Sequence, residues 1–554
     1  MTKKGTEMRN KQINTVYAVV LLFFTLFIVL PAFFIFKNAF SVPGGLSLVH
    51  FRDVFVQGKL AQAFWNSTKV SAVSAVITTF LAFILAYTEN FTNLPSALKK
   101  LLRTCAVFPM LLPTITYGFA IIYSFGKTGL ITKVIGRQLF DFYGFNGLVF
   151  GYVIYTLPIS FTLIKNTMAY IDKRYMIVCR IMGDSALKCF YTAVLQPLWG
   201  TIAVSVVQAF FLSFTDFGIP ASIGGRYTVI AELLYNTMLG SLPNFNQGAV
   251  IAIIMLLPSI VSILLLNYLQ KFNVRYNKIT KIEMKKNPAR DIILALVSAA
   301  IIICILSIFA VVFVAPFVQE WPYNMNGTLK NLKSVFADSN LVRVFTNSLI
   351  ISFFTALLGT MLVYASALVT TRSRLHPHGT LIIESIAQIT NTIPGMVLGI
   401  AFLLTFKKTF LRNTMAILVF CNMIHFFATP FLMMKGTLDK MNESWETTAA
   451  ILGDNWIKTV VRIITPNILP TLLEVFCYLF INGMVTISAV VFIAGAKTMV
   501  ITTKIQELQH FAKFNEIFIL SLLILITNLI IKTVKGIAHQ QPHRKRQGIP
   551  LSHE

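Results

Sequence analysis

Twelve stretches of this chain are apolar for long enough to cross a bilayer. They lie near 15–37, 65–88, 103–126, 145–169, 196–219 and 246–270 in the first half, and near 291–319, 347–371, 381–406, 413–434, 467–493 and 513–533 in the second. Within hydrocarbon, each backbone N–H and C=O must find its partner inside the chain, so a segment of this length and character folds as a helix. The expectation is an all-α polytopic membrane protein with about twelve transmembrane helices. Hydrophobic residues make up 56% of the sequence and charged ones 12%, more apolar than a soluble domain of this length needs for its core. The basic segment Met1 to Asn14 runs into the first apolar stretch with no small-residue cleavage site, so that stretch reads as a retained span rather than a cleaved signal.

The net charge of +26 is concentrated in loops and termini. Lys271 to Arg290 carries seven basic residues against the single acid Glu283. Span parity puts this segment on the same side as Lys3, Lys4, Arg9 and Lys11, as Thr371-Arg372-Ser373-Arg374, and as the tail with Arg544-Lys545-Arg546. The positive-inside bias then makes that side cytoplasmic and both termini with it, in a multi-pass membrane protein. The charge therefore faces lipid and sets topology; no basic groove interleaved with aromatic residues points to nucleic acid. Cysteines 105, 179, 189, 304, 421 and 477 have no paired short spacing, and the eight histidines have no ligand spacing, so neither a disulfide framework nor a metal site is expected.

The two halves are copies of each other. Phe64-Trp65-Asn66-Ser67 has its counterpart in Phe345-Thr346-Asn347-Ser348, and Pro113 and Gly118 match Pro394 and Gly399 at the same separation. Six spans in each half make these parallel repeats, related by an axis along the membrane normal. The expected organisation is repeat 1 over 1–270, a basic cytoplasmic linker over 271–290, repeat 2 over 291–536 and a basic tail over 537–554.

Each repeat also contains a charged, amphipathic interruption. One runs from Asp172 through Gly183-Asp184 to Pro197, the other from Asp439 through Gly453-Asp454 to Pro466, and each has a Lys four residues after the Asp. Tyr175, Val178, Cys179, Met182 and Ala186 recur at helical spacing in the first. In the second, Trp445, Thr448, Ala449, Leu452, Trp456 and Val460 do so. Gly183 and Gly453 can take the left-handed conformation that ends a helix, and Asp184 and Asp454 are expected to cap the next one. The product is a short helical hairpin beside the bilayer, with one face suited to a groove on a partner protein.

These hairpins resemble the cytoplasmic coupling loop of the permeases of binding-protein-dependent ABC importers, whose pattern is Glu-Ala-Ala, three residues, Gly, nine residues, Ile, one residue, Leu-Pro. Ala449, Gly183, Gly453, Ile463 and Pro466 fit that pattern, whereas Ile177-Val178-Cys179 and Thr447-Thr448 depart from Glu-Ala-Ala. In the first copy Val194 and Pro197 come one residue late, and Gln196 and Thr465 replace the Leu. The resemblance implies a fused permease of the inner (plasma) membrane with no cofactor of its own. Its partners would be two ABC ATPase subunits that bind the ATP and an extracytoplasmic solute-binding protein. The coupling residues it implies are Tyr175, Val178, Cys179, Met182, Gly183, Asp184, Trp445, Thr448, Ala449, Leu452, Gly453, Asp454 and Trp456. Ser213 to Pro220, Asn391 to Gly399 and Tyr478 to Phe492 are most similar to the group of 2-aminoethylphosphonate and ferric-iron permeases, the last two stretches tilting towards the phosphonate branch.

Polar groups at membrane depth are candidates for the translocation path: Asp216, Asn391, Asn482 and Thr486, the last being the repeat counterpart of Asp216. Asp216 could meet a cationic ammonium or be an interfacial helix-end acid; Glu384 and Glu474 read as interfacial or helix–helix groups. Pro113, Pro158, Pro394 and Pro430 kink helices or mark bends on which the halves rock. Phe125-Gly126-Lys127-Thr128 is similar to the end of a phosphate-binding loop, but Ile121 stands where its leading Gly is required, so ATP hydrolysis is expected on a partner. An integral-membrane enzyme would need clustered His, Asp or Glu at membrane depth, and an ion-coupled transporter would need paired intramembrane charges; the sequence offers neither.

Overall fold

The computed structural model describes residues 3–127, 129–138, 141–272, 287–372, 377–442 and 444–547. Most of the basic linker, Ser373-Arg374 and the end of the tail lie outside them. Among the described residues the protein is helical apart from two short antiparallel hairpins, Ser41–Val42 with Gly45–Leu46 and Val318–Glu320 with Asn324–Gly327. Among the described residues nine helices are long and apolar enough to span, and three bent helix pairs raise the number to twelve if each counts as one crossing.

Two of those pairs turn through nearly a right angle at matched prolines. The chain bends by 107° between Ser96–Leu111 and Thr114–Ile135, and by 109° between Gly379–Thr390 and Gly395–Phe406. Pro113 and Pro394 are the extended residues just before the inner helices. Proline has no N–H to donate and biases the residue before it away from helix, so the break falls there. The third pair, Met415–His425 with Ala428–Leu438, bends by 57°, whereas its counterpart Phe145–Met168 stays continuous through Pro158.

Proline shapes three further spans through a widened turn. Thr25–Val29, Tyr191–Leu195 and Val460–Ile464 are π-helical, and each is followed by a residue and then a proline: Pro31, Pro197 and Pro466. Leu30, Gln196 and Thr465 donate their N–H five residues back. The wider turn makes room for a ring that would otherwise strike the preceding carbonyl. The late Pro197 is thereby explained: the helix before the wide turn is Ala186–Phe190 in the first copy and Trp456–Thr459, one residue shorter, in the second.

Packing divides the chain into two compact units whose limits are not those of the sequence repeats. One comprises Met1–Ser41, Asp338–Lys504 and Leu523–Glu554; the other comprises Val42–Ala337 and Ile505–Leu522. The first span of each repeat is thus built into the unit that holds most of the other repeat. Aromatic rings hold the two exchanged spans. In the first unit Phe24 meets Phe427 edge-on at 4.9 Å and Phe27 meets Phe420 at 4.6 Å. In the second, Phe309 lies 5.3 Å from Tyr117 and 5.7 Å from Phe108, and Thr88 and Ser298 share a hydrogen bond of 2.8 Å.

Candidate functional site

Both predicted hairpins form, and their turns are built alike. Arg174–Ile181 leads through Gly183 to Ala186–Phe190, and Ser444–Ile451 leads through Gly453 to Trp456–Thr459. Gly183 and Gly453 have φ of +79° and +83° with open space where a Cβ would stand, so backbone conformation alone requires glycine there. Asp184 N–H donates to Cys179 O, and Asp454 N–H to Ala449 O, both at 3.0 Å, closing the six-to-one bond of a Schellman turn.

The caps differ from expectation. Ser185 and Asn455, one residue after each Asp, accept the N–H of Lys188 and Lys458 at 3.3 and 2.8 Å. The aspartates are then free to pair with the lysine one helical turn on: Lys188 Nζ donates to Asp184 at 2.6 Å, and Lys458 pairs with Asp454 in the same way. This ties the turn to the first coil of the second helix in each copy.

The structure splits the predicted coupling residues into two sets. Tyr175, Val178, Met182, Trp445, Thr448 and Leu452 are exposed, together with both glycines, while Asp184 and Asp454 are half-buried. Cys179, Ala449 and Trp456 instead turn inward and are buried, so they seat the hairpins on the protein. Sequence reasoning singled out Met182 and Leu452 but missed the other four residues of the apolar tips, Ile181, Leu187, Ile451 and Ile457. Ile181, Met182 and Leu187 are 80%, 74% and 82% exposed, and their counterparts Ile451, Leu452 and Ile457 are 74%, 78% and 50% exposed. The available signal was the Ile-Met-Gly-Asp and Ile-Leu-Gly-Asp match. Six large apolar side chains are thus left exposed at matched positions of the two hairpins.

The hairpins are anchored by different chemistry. Lys173 Nζ, at the start of the first, donates to Asn90 O at 2.8 Å and lies 5.5 Å over the Phe91 ring. Loss of hydration, and then the nearby Lys99, lower its pKa from the ordinary value. In the second copy Arg372 reaches from the span to the hairpin's Glu446.

Among the path candidates, Asp216 follows the helix Gln196–Thr215 as its extended cap and is buried. Its carboxylate accepts Ile219 N–H at 2.9 Å and lies near the Phe217 and Gly218 N–H groups and the Thr114 hydroxyl. The carboxylate is thus held by the start of Gly218–Ile223. Thr486 occupies the same place after Thr465–Val485, with φ, ψ of −69°, 138° against −71°, 141° at Asp216, and its carbonyl accepts the Thr502 hydroxyl at 2.7 Å. Asn482 donates to Tyr478 O on its own helix at 2.8 Å, and Asn391 is exposed in the turn before Pro394. Glu384 pairs with Lys435 at 2.5 Å and Glu474 with Lys535 at 2.7 Å.

The capping loop meets the bent helix through exchanged small residues. In one unit Gly218 lies against Thr114; in the other the partners are reversed, Gly395 against Ser488, where an added Cβ would fall 2.5 Å from Ser488 Oγ and 3.1 Å from His425 Cε1. His425, at the break after Met415–His425, was not singled out from sequence, although a lone ionisable group in an apolar run is a signal. Among the described residues no group of three His, Cys, Asp or Glu is placed to hold a metal ion.

Comparison with known proteins gives a consistent picture. The family described as binding-protein-dependent transport system inner membrane component matches twice, over residues 78–276 and 368–541. The putative ferric transport system permease protein FbpB 1 of Haemophilus influenzae is 24% identical over 509 residues, covering 87% of this chain and 78% of that protein. The ferric transport system permease protein FbpB of Actinobacillus pleuropneumoniae is 23% identical over 516 residues, 89% of this chain and 73% of its own length. The molybdenum transport system permease protein ModB of Escherichia coli is 24% identical over 223 residues, 38% of this chain but 94% of itself.

Proposed function

The chain belongs to the family of binding-protein-dependent transport system inner membrane components, and from that premise we propose that it is a permease of an ATP-driven importer, with two permease halves fused in one polypeptide. It is a transport component, and each hairpin docks on one copy of an ABC ATPase at the cytoplasmic face. The observation that carries this reading is the repetition of the family match together with the two matched, water-exposed apolar tips. The termini and the basic linker lie on the same cytoplasmic side. Closure of the ATPase pair moves both hairpins and shifts the permease between inward- and outward-open states, and an external binding protein delivers the solute.

The cargo has two readings, each with its own support. Ferric iron is favoured by the fused ferric-permease relatives, which match over 87% and 89% of this chain. 2-Aminoethylphosphonate or a related phosphonate rests on the stretches Asn391 to Gly399 and Tyr478 to Phe492. In either case recognition lies mainly in the binding protein, and the path offers Ser, Thr and Asn groups that bind weakly enough to release. The test has two arms. The purified chain is expected neither to bind nor to hydrolyse ATP until its ATPase is added, and tight ATP binding by the chain alone refutes the division of labour. A deletion strain is then grown under iron limitation and, separately, on 2-aminoethylphosphonate as sole phosphorus source; the condition in which growth is lost identifies the cargo.

A further inference from the structure

Arg372 closes the span Ser339–Arg372, where its side chain is only 3% exposed. Its Nη2 donates to Leu438 O at 2.6 Å and to Met441 O at 2.9 Å, at the end of Ala428–Leu438 and in the turn that follows. Its Nε, buried with no hydrogen-bond partner among the described residues, forms an ion pair at 3.3 Å with Oε1 of Glu446, in the first turn of the coupling helix Ser444–Ile451. A single planar guanidinium thus holds together one span, the end of another and the coupling helix.

The first repeat is built differently. When Asn66-Ser67 is set on Asn347-Ser348, the position matching Arg372 is Phe91. The basic group comes instead from the hairpin, as Lys173, half-buried on a flexible stem and bonded to the Asn90 carbonyl. Arginine's fork fixes several acceptors at once, whereas an ammonium on four methylenes pivots about one. The buried Arg372–Glu446 pair also resists separation, because parting the two would leave an uncompensated charge away from water.

We infer that Arg372 is a positioning residue that makes the second hairpin the rigid link between ATPase and spans, while Lys173 leaves the first hairpin compliant. This rests on the importer reading and adds that the two ATPase contacts are mechanically unequal.

The test uses the full complex, the chain with its ATPase and binding protein in proteoliposomes, and reads solute imported per ATP hydrolysed. Arg372→Gln and Glu446→Gln are expected to keep ATP hydrolysis and to lower that ratio about tenfold, and Lys173→Gln to lower it less than about threefold. Hydrogen exchange of the same complexes is expected to speed up over 444–451 in Arg372→Gln and to stay unchanged over 174–181. An unchanged ratio in Arg372→Gln, or an equal loss in Lys173→Gln, overturns the inference. If Arg372→Gln does not assemble, Glu446→Gln, which leaves both carbonyl bonds in place, decides by the same ratio. A wild-type complex that shows no ATP-driven import overturns the importer reading and this inference with it, which separates that failure from an unchanged ratio in a working complex.

Discussion

Replacing Leu452 by Asp tests the docking surface where the structure leaves it most open. The side chain is 78% exposed at the tip of the second hairpin, so the isolated chain has little to lose, within about 0.5 kcal/mol for a surface change of this kind. Covering a leucine fully is worth about 1.5–3 kcal/mol, so with about three quarters of it open, docking recovers roughly 1–2 kcal/mol. Placing a carboxylate in the same groove adds the cost of desolvating an unpaired charge, which brings the loss to about 3 kcal/mol or more. Since about 1.4 kcal/mol is tenfold in affinity, binding of the ATPase should weaken about a hundredfold. The assay is titration of labelled ATPase onto the chain in nanodiscs, with thermal unfolding of the chain as the control. An unchanged Kd with intact folding would refute the docking role of the tips.

Three further outcomes follow from the placement of particular residues. Trp456 is buried beneath the second hairpin, so Trp456→Ala should destabilise the chain by about 3–5 kcal/mol, seen as lower yield and earlier thermal aggregation, and a normal melt would show that its burial is dispensable. Asp216→Asn keeps an oxygen to accept the Ile219 N–H, and since Asn caps about as well as Asp it should change stability by less than about 1 kcal/mol and leave uptake unchanged; a selective loss of uptake in a fully stable protein would instead put the carboxylate in the path. Glu232, outside the membrane-spanning segments in Ile230–Leu239, has its pKa raised by burial to about 7 despite a bond from Val229 N–H. The folded state therefore binds more protons than the unfolded one between about pH 4.5 and 7, so this group's contribution to stability should fall as pH rises through that window and level off above it. Glu232→Gln should flatten that part of the melting-temperature profile, and an unchanged profile would refute the assignment.

Some of this architecture is fixed by local rules and is legible in the sequence. Apolar length dictates helices because lipid offers the backbone no other partner. A duplicated Gly-Asp with a following Lys dictates two turns that need a positive φ, and the structure closes both in the same way. The prolines mark where helices break or widen, since a missing N–H acts within four residues of its position.

What only the tertiary structure decided is which surface each apolar residue meets. The short helix Arg174–Ile181 carries apolar residues on more than one face, so its periodicity could not say that Met176 and Cys179 turn inward while Tyr175, Val178 and Ile181 stay exposed. The placement of the first spans was equally hidden, because a uniformly apolar helix packs as well on one partner as on another. Rings far apart in sequence, Phe24 with Phe427 and Phe309 with Tyr117, settle it. Asp216 shows the same limit: composition identifies a costly carboxylate at membrane depth, but only the folded loop supplies the N–H groups that make its burial tolerable.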